Sequence, residues 1–277
     1  MTALPQTHAA LPPATDRVGP LLREWRTRRG RSQLDLALDV GVSQRHLSFI
    51  ETGRSRPSPA MLTAIAQTLE VPLREHNRML LAAGYAPRYA ERALSASAMD
   101  GVRSALQRLL DAHQPYPGFV LDRAWNVVHA NAAAQALAGL LPAALTTPAI
   151  NVFRASLHPQ GLAAHTANFD EWGRHLVAQL RRLVAGSGGD PALAALEAEV
   201  LAYPGVAALA APAHAEPAAP TLLVPFVLDL PSGRISMFST LTTFGSPRDV
   251  TLDELCVELF YPLDAESEQH LRQAGAA

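Results

Sequence analysis

The chain has 277 residues, of which 48% are hydrophobic, and a formal net charge of -2. This length suits two domains, each with enough apolar residues for a core of its own. The single cysteine, Cys256, excludes an internal disulfide framework and metal sites built from several cysteines, and no membrane span is expected because no run of 18 apolar residues occurs.

The charge is divided unevenly along the chain. Residues 17–92 contain 13 arginines against seven acidic residues, whereas the remainder has ten arginines against 18 acidic residues. This division indicates that a polyanion binds the first part only. Residues 1–16 lack the basic start and apolar core of a signal peptide, so we expect a disordered tail on a cytoplasmic protein.

Five short helices are predicted for a first domain over residues 17–85. Their predicted spans are 18–29, 33–40, 44–52, 59–69 and 73–83. Ser32 and Asp35 form a capping-box-like pair at the start of the second helix, and Gly41 follows its end, where a left-handed residue is favoured. Two short helices joined by a tight glycine turn are typical of a helix-turn-helix domain, whose second helix enters the DNA major groove.

The spacing of apolar residues also predicts which face of the second helix is buried. Leu34, Ala37 and Leu38 are expected to point inward. The remaining surface of a five-helix bundle that carries arginines could instead serve as a protein-docking module, which is the alternative to DNA binding.

Three segments of this domain resemble the XRE (Cro/C1-type, lambda-repressor-like) helix-turn-helix family. They are SQLDLALDVGVS, LSFIETGRSRPS and MLTAIAQTLEV. The resemblance implies a set of DNA-contacting residues, namely Gln33, Ser43, Gln44, Arg45, Ser48, Phe49, Arg54 and Arg56. It also implies a structural ion pair between Arg26 and Glu51, which would join helix one to the end of helix three.

The side chains in this set suit different contacts. Gln33 is expected to donate to a phosphate, while Gln44 can bridge adenine N6 and N7 and Arg45 can bond guanine O6 and N7. Arg54, like the arginine two residues later, is expected to bind phosphate and hold the register without reading sequence. Phe49 departs from the polar residue that is more usual there, and it contacts a thymine methyl group or packs.

A linking segment is predicted over residues 86–113. Val102, Leu106, Leu109 and Leu110 define one amphipathic helix, which ends before the prolines of QPYPG. Two roles are open for this helix: a cap on the second domain, or transmission of a ligand-induced change to the DNA-binding domain.

The second domain is predicted over residues 114–265, with a tail over 266–277. Two short strands and a helix follow from FVLDRAWNVVHANAAAQAL, and alternation sets Trp125, Val127 and His129 on one face. Further strands are predicted in TLLVPFVLDL, ISMFSTLTTF and CVELFYPLD, with helices over 169–184 and 191–202 between them. This order indicates an α+β domain with an antiparallel sheet.

Five segments of this domain resemble the PAS-like ligand-binding domain of MmyB-like transcription regulators. They are VLDRAWNVVHAN, NVFRASLHP, DEWGRHLVAQLRR, SGRISMFSTLTTFGSPRDVTLDEL and ELFYPLD. The resemblance implies a cavity between sheet and helices for a small apolar molecule such as a fatty acid or an aromatic compound. The candidate ligand-binding residues are Phe119, Trp125, Phe153, His158, His165, Trp172, Phe226 and Phe238. The aromatic side chains among them line a pocket or fill a core. The two histidines would orient the polar head group of a ligand.

The motifs of common enzymes are missing from the sequence. It has no P-loop, no dinucleotide fingerprint and no GxSxG elbow, so no catalytic residue and no cofactor are expected. His158 and His165 lie seven residues apart without supporting ligands, so no metal site is expected either.

Three hypotheses about function follow. The first is a ligand-responsive transcriptional regulator, which binds as a homodimer to a pseudo-palindromic operator in double-stranded DNA. In the second the C-terminal domain is a protein-interaction or dimerisation platform without a ligand, and in the third it has a catalytic task. A cavity in the second domain distinguishes the first hypothesis from the second.

Overall fold

The computed structural model describes residues 17–211 and 222–275, which divide into two units. The first unit contains the described residues up to Glu91 together with Arg248–Val250, and the second contains Arg92–Pro247 with the described residues from Thr251 onward. The tail predicted over 1–16 lies outside the described residues.

The first unit is a bundle of five helices. They are α1 Val18–Arg28, α2 Gln33–Asp39, α3 Gln44–Glu51, α4 Pro59–Thr68 and α5 Leu73–Ala82. Hydroxyl caps begin three of them: Ser32, Ser43 and Ser58 each accept a hydrogen bond from a backbone N–H three residues on. Each predicted helix is confirmed to within one residue at either end, because caps and glycines define the boundaries.

Close packing of α1 on α3 holds the bundle together. A Cβ atom added at Gly19 would lie 2.4 Å from the carbonyl oxygen of Glu51, so only glycine allows this approach. Leu22, Leu47 and Ile50 are fully buried beside it. The end of α3 is therefore held closely against α1.

The predicted inward face of α2 is partly wrong. Leu36 and Ala37 are buried, whereas Leu34 and Leu38 are 50% and 69% exposed. The helix has two apolar stripes on opposite sides, and a surface helix buries only one of them. Spacing within seven residues does not show which stripe meets the core.

The second unit contains one five-stranded sheet and the remaining helices, apart from Val250, the first residue of the helix Val250–Glu254, which falls in the first unit. The strands are β1 Gly118–Leu121, β2 Val127–Ala130, β3 Phe226–Leu230, β4 Gly233–Thr243 and β5 Cys256–Pro262. Their order is β2-β1-β5-β4-β3 and every neighbouring pair is antiparallel. The predicted α+β PAS-like fold after an all-α domain is confirmed.

Helices lie before, between and after these strands. They are α6 Asp100–Ala112, α7 Ala132–Ala138, α8 Ala143–Thr146, α9 Val152–Leu157, α10 Phe169–Gly186, α11 Pro191–Leu201, α12 Val206–Leu209, α13 Val250–Glu254 and α14 Ala265–Ala274, with short 3-10 helices at Ser97–Met99 and Leu162–His165. The two predicted helices between the strands are confirmed as α10 and α11.

The central strand β5 separates two apolar layers. Val257 and Leu259 pack on one side with Leu106 and Leu110 of α6. Phe260 belongs to the larger core on the other side of the sheet. Because α6 covers one face of the sheet within the second unit, its packing is that of a cap, and the transmission of a ligand-induced change stays a prediction.

The predicted shared face of the first two strands is wrong. Trp125, Val127 and His129 do not share a face: Trp125 has a φ of 63° in the turn, and the β1–β2 register shifts so that Val120 pairs with His129 but Leu121 with Val127. The β-bulge places one extra residue on β2 and reverses the alternation.

The predicted tail over 266–277 is instead mostly helix α14. Leu271 is buried in the larger core, and the hydroxyl of Ser267 accepts a hydrogen bond of 2.8 Å from the backbone N–H of Ser236 on β4. The phenol of Tyr116 donates to Glu268 over 2.9 Å. These contacts bind the helix to the sheet.

Candidate functional site

The helix-turn-helix presents the start of α3 to solvent. Gln44 and Arg45 are exposed in its first turn, and Ser48 lies half-buried one turn on. The hydroxyl of Ser43 accepts a hydrogen bond from the backbone N–H of His46 over 3.2 Å. The oxygen of Ser43 thus caps the helix whose first turn offers an amide and a guanidinium, and the DNA contact of Ser43 stays a prediction.

A buried hydrogen-bond network sets the position of α3. Arg26 donates to both carboxylate oxygens of Glu51, over 2.6 and 3.0 Å, which confirms the predicted ion pair. Gln33 donates to the same carboxylate over 2.8 Å. Burial alone would raise the pKa of Glu51, but the hydrogen bonds from Arg26 and Gln33 and the charge of Arg26 outweigh burial and lower it. Three helices are joined at one carboxylate.

This network also gives Gln33 a second task beyond the predicted phosphate contact. An amide nitrogen carries two N–H donors, of which Glu51 accepts one. The other donor remains for the predicted bond to phosphate, with the side chain already held in place by α3.

Phe49 has a role that the sequence did not reveal. The guanidinium carbon of Arg45 lies 5.3 Å from the centre of its ring, and that of Arg54 lies 5.8 Å from the same ring. Both distances are within the range of a cation–π contact. The ring therefore orients one arginine predicted to read bases and one predicted to bind phosphate.

The guanidinium of Arg56 is engaged within the first unit. It donates to the carbonyl oxygen of Ala83 over 2.8 Å and to that of Gly84 over 3.3 Å, and it lies 4.4 Å from the ring centre of Tyr85. These contacts favour a structural role for Arg56 at the end of α5, and its predicted phosphate contact stays a prediction.

The second unit contains an apolar cavity between the sheet and helices α7, α9 and α10. Its volume is about 110 Å³. The lining residues are Phe119, Val127, Ala130, Ala134, Gln135, Leu137, Ala138, Leu141, Ile150, Val152, Ala155, Ser156, Leu162, Trp172, Phe226, Glu258 and Phe260. An engineered cavity of roughly 150 Å³ with a similar lining binds benzene, so this one suits a molecule of about one aromatic ring.

Three of the eight predicted ligand residues line this cavity: Phe119, Trp172 and Phe226. The others lie elsewhere in the second unit. Trp125 and Phe153 stack on each other in the core with ring centres 4.9 Å apart. They are core residues because mutual stacking buries both rings.

The remaining three predicted ligand residues are also absent from the cavity lining. Phe238 stacks on Tyr261 with ring centres 5.4 Å apart. His158 meets the ring of Tyr203 edge-on at 4.9 Å, and His165 ends the short 3-10 helix at Leu162–His165. Neither histidine is placed to orient a molecule in this cavity.

Glu258 is a cavity residue that the sequence reasoning missed. It lies on the central strand β5, is 4% exposed, and one of its carboxyl oxygens has no hydrogen-bond partner among the described residues. Burial raises its pKa to about 7, while a hydrogen bond with Ser239 acts in the opposite direction. The sequence signal for this residue was present in CVELFYPLD, where an acidic residue interrupts an otherwise apolar central strand.

The thiol of Cys256, possible metal ligands and possible membrane spans were the other features to consider for function. Burial, with a smaller contribution from the charge of Glu258, raises the pKa of Cys256 to about 12, so its thiol is unreactive at neutral pH. Within residues 17–211 and 222–275, no three histidine, cysteine or acidic side chains gather where they could hold a metal ion. In the same ranges, no helix combines the length and apolar character needed to cross a membrane.

Comparisons with known proteins match both units. The family model described as "MmyB-like transcription regulator ligand binding domain" matches residues 102–274, and the model described as "Helix-turn-helix" matches residues 22–76. The HTH-type transcriptional regulator SlrR of Bacillus subtilis is 42% identical over 59 residues, which are 21% of this chain and 39% of SlrR. The transcriptional regulator ClgR of Mycobacterium tuberculosis is 41% identical over 56 residues, which are 20% of this chain and 50% of ClgR. The chain thus matches no more than half the length of these curated relatives.

Proposed function

The chain belongs to the family of MmyB-like transcription regulators, and we propose that it is a DNA-binding regulator whose C-terminal cavity binds a small apolar ligand. Its family is one of transcription regulators and not of enzymes. The observation that carries the proposal is the presence of both parts in one chain: a capped recognition helix with exposed Gln44 and Arg45, and an apolar cavity in the other unit.

The electrostatics of the first unit support binding to DNA. Residues 17–92 carry a surplus of arginine over acidic residues, which favours the phosphate backbone. Arg45 and Arg54 are both exposed and both contact the ring of Phe49, so the surface around this ring offers one group suited to reading bases and one suited to binding phosphate.

A homodimer is part of the proposal. The recognition helix α3 has eight residues, and in this motif the N-terminal residues of the recognition helix contact base edges. So few contacts give limited specificity, whereas two copies on a pseudo-palindromic site double the number of bases that are read. Sedimentation of the chain on its selected duplex should show two copies per site.

The size of the cavity narrows the class of ligand. A volume of about 110 Å³ favours a compound of one aromatic ring over a long-chain fatty acid, which would need side chains to move apart. A protein-interaction platform without a ligand remains the alternative; it requires a packed core, and a cavity with this lining counts against it.

DNA selection tests the recognition helix. We would enrich double-stranded DNA from a random library with the full chain and with variants Arg45→Ala, Arg54→Ala and Arg108→Ala. The last is a control of equal charge change, because Arg108 is exposed on α6 in the second unit.

The three variants should differ in which property of DNA binding they change. Arg45→Ala should lose about 1–3 kcal/mol of discrimination at one base pair. Arg54→Ala should weaken binding to all sequences and reduce the salt slope by about one. Arg108→Ala should match the natural chain, and full sequence preference in Arg45→Ala would show that α3 does not read bases through this residue.

A further inference from the structure

Two residues that line the apolar cavity each carry a buried polar atom without a partner. One carboxyl oxygen of Glu258 and the indole Nε1–H of Trp172 have no hydrogen-bond partner among the described residues. Both residues line the cavity, and they are 4% and 3% exposed. Natural proteins pair nearly all buried polar groups, so two orphans on one cavity indicate that something else supplies their partners.

The position of Glu258 makes its burial costly for folding. It lies on the central strand, where its backbone pairs with Phe119 on β1 and Leu241 on β4. Ser239 is its hydrogen-bonding neighbour, and no salt bridge to it occurs within residues 17–211 and 222–275. An apolar residue would fill this position in a core strand without the cost of desolvating a carboxyl group. The carboxyl therefore has a use other than stability.

The walls around these atoms are aromatic. Trp172 stacks on Phe226 with ring centres 4.8 Å apart, and Phe226 and Phe119 lie 5.9 and 5.7 Å from the ring of Phe260. Stacking fixes the indole of Trp172, and with it the direction of its Nε1–H. The residues that line the cavity thus supply an apolar surface, one indole donor and one carboxyl group.

We propose that the cavity recognises a small apolar alcohol, with the carboxyl group of Glu258 accepting the hydrogen bond of its hydroxyl and the Nε1–H of Trp172 as the donor to its oxygen. This inference rests on the proposed function, because it names the ligand class of the same cavity. A hydroxyl group is both donor and acceptor, so it can satisfy each orphan atom.

Other ligand chemistries fit this lining less well. A pure hydrocarbon fills the apolar volume but leaves both polar atoms without partners. A carboxylate, including that of a fatty acid, brings a second acidic group beside Glu258 and must bury its own charge. The residues favour a neutral hydroxyl over both.

Binding of three one-ring compounds tests the inference. Toluene, benzyl alcohol and benzoate differ only in the group attached to the ring, and titration calorimetry at pH 7 would give each dissociation constant for the full chain. We expect benzyl alcohol to bind about tenfold more tightly than toluene and benzoate to bind most weakly, because satisfying buried polar atoms favours the alcohol.

Three variants test which cavity residues cause the preference for benzyl alcohol over toluene. Glu258→Met removes the acceptor at similar length and should bring the dissociation constants of benzyl alcohol and toluene to within about twofold. Trp172→Phe keeps a ring, removes the Nε1–H and should reduce the preference in part. The control is Glu266→Met, the same substitution at an exposed residue of α14 that does not line the cavity, and its preference should be unchanged.

The outcomes separate the inference from the proposed function. If toluene and benzyl alcohol bind equally to the natural chain, the ligand-binding function stands and the alcohol inference fails. A preference for alcohol that persists in Glu258→Met also overturns it. If none of the three compounds binds, the proposed ligand cavity fails and the inference with it.

Discussion

Replacing Glu258 by glutamine should remove a pH-dependent loss of stability. Burial raises the pKa of this carboxyl from 4.5 to about 7. Below pH 4.5 the group is protonated in both the folded and the unfolded chain. As the pH rises towards 7, the unfolded chain ionises first, so the free energy of unfolding falls, and above pH 7 the loss is complete.

The size of this effect follows from the shift in pKa. Each unit is worth about 1.4 kcal/mol, so the change from 4.5 to about 7 corresponds to roughly 3 kcal/mol. Glutamine is neutral throughout. The stability of Glu258→Gln relative to the natural chain should therefore increase by roughly 3 kcal/mol between pH 4 and pH 8.

Urea unfolding at a series of pH values measures this difference. Tryptophan fluorescence reports on the second unit through Trp125 and Trp172, which lie in its core. Glu266→Gln is the matched control, because it makes the same substitution at an exposed side chain of α14. A Glu258→Gln difference that stays constant with pH would refute a buried, neutralised carboxyl at this position.

Two further predictions concern the first unit. Phe49→Ala should weaken DNA binding by about 1 kcal/mol in fluorescence anisotropy, because Arg45 and Arg54 lose the ring that orients them. Phe49→Tyr keeps the ring and should bind DNA with normal affinity. Equal affinity of the natural chain and both variants would contradict this role of Phe49. Glu51→Ala should lower the free energy of unfolding by about 3 kcal/mol, since it leaves the partly buried Arg26 without its buried partner. The double variant that also removes Arg26 should lose little more, and strictly additive losses would show that the pair does not interact.

Local signals in the sequence were sufficient for the helices of the first unit. Ser32, Ser43 and Ser58 are caps whose hydroxyls satisfy free backbone N–H groups, so the helix starts could be placed to the residue. The outward stripe of Leu34 and Leu38 could not be foreseen, because α2 carries apolar residues on two sides and only contacts with other helices select one.

The cavity was harder to predict than the fold. Aromatic content suggested a lined pocket, but Trp125 and Phe153 stack on each other in the core, and such pairing depends on residues far apart in sequence. A β-bulge removed His129 from the face assigned to it. Glu258 was overlooked although its place in an apolar strand marks it, since its importance depends on which side of the sheet is hollow.

The central claim is that one chain joins DNA binding to a ligand cavity. Its most direct test is the dissociation constant of the full chain for its selected DNA duplex, measured with and without the small molecule that native mass spectrometry detects on the purified protein. We predict a bound molecule at one copy per chain and a change of at least about fivefold in the dissociation constant when it is added. A chain that carries no such molecule, or one whose affinity for DNA is the same in its presence and absence, would contradict the account.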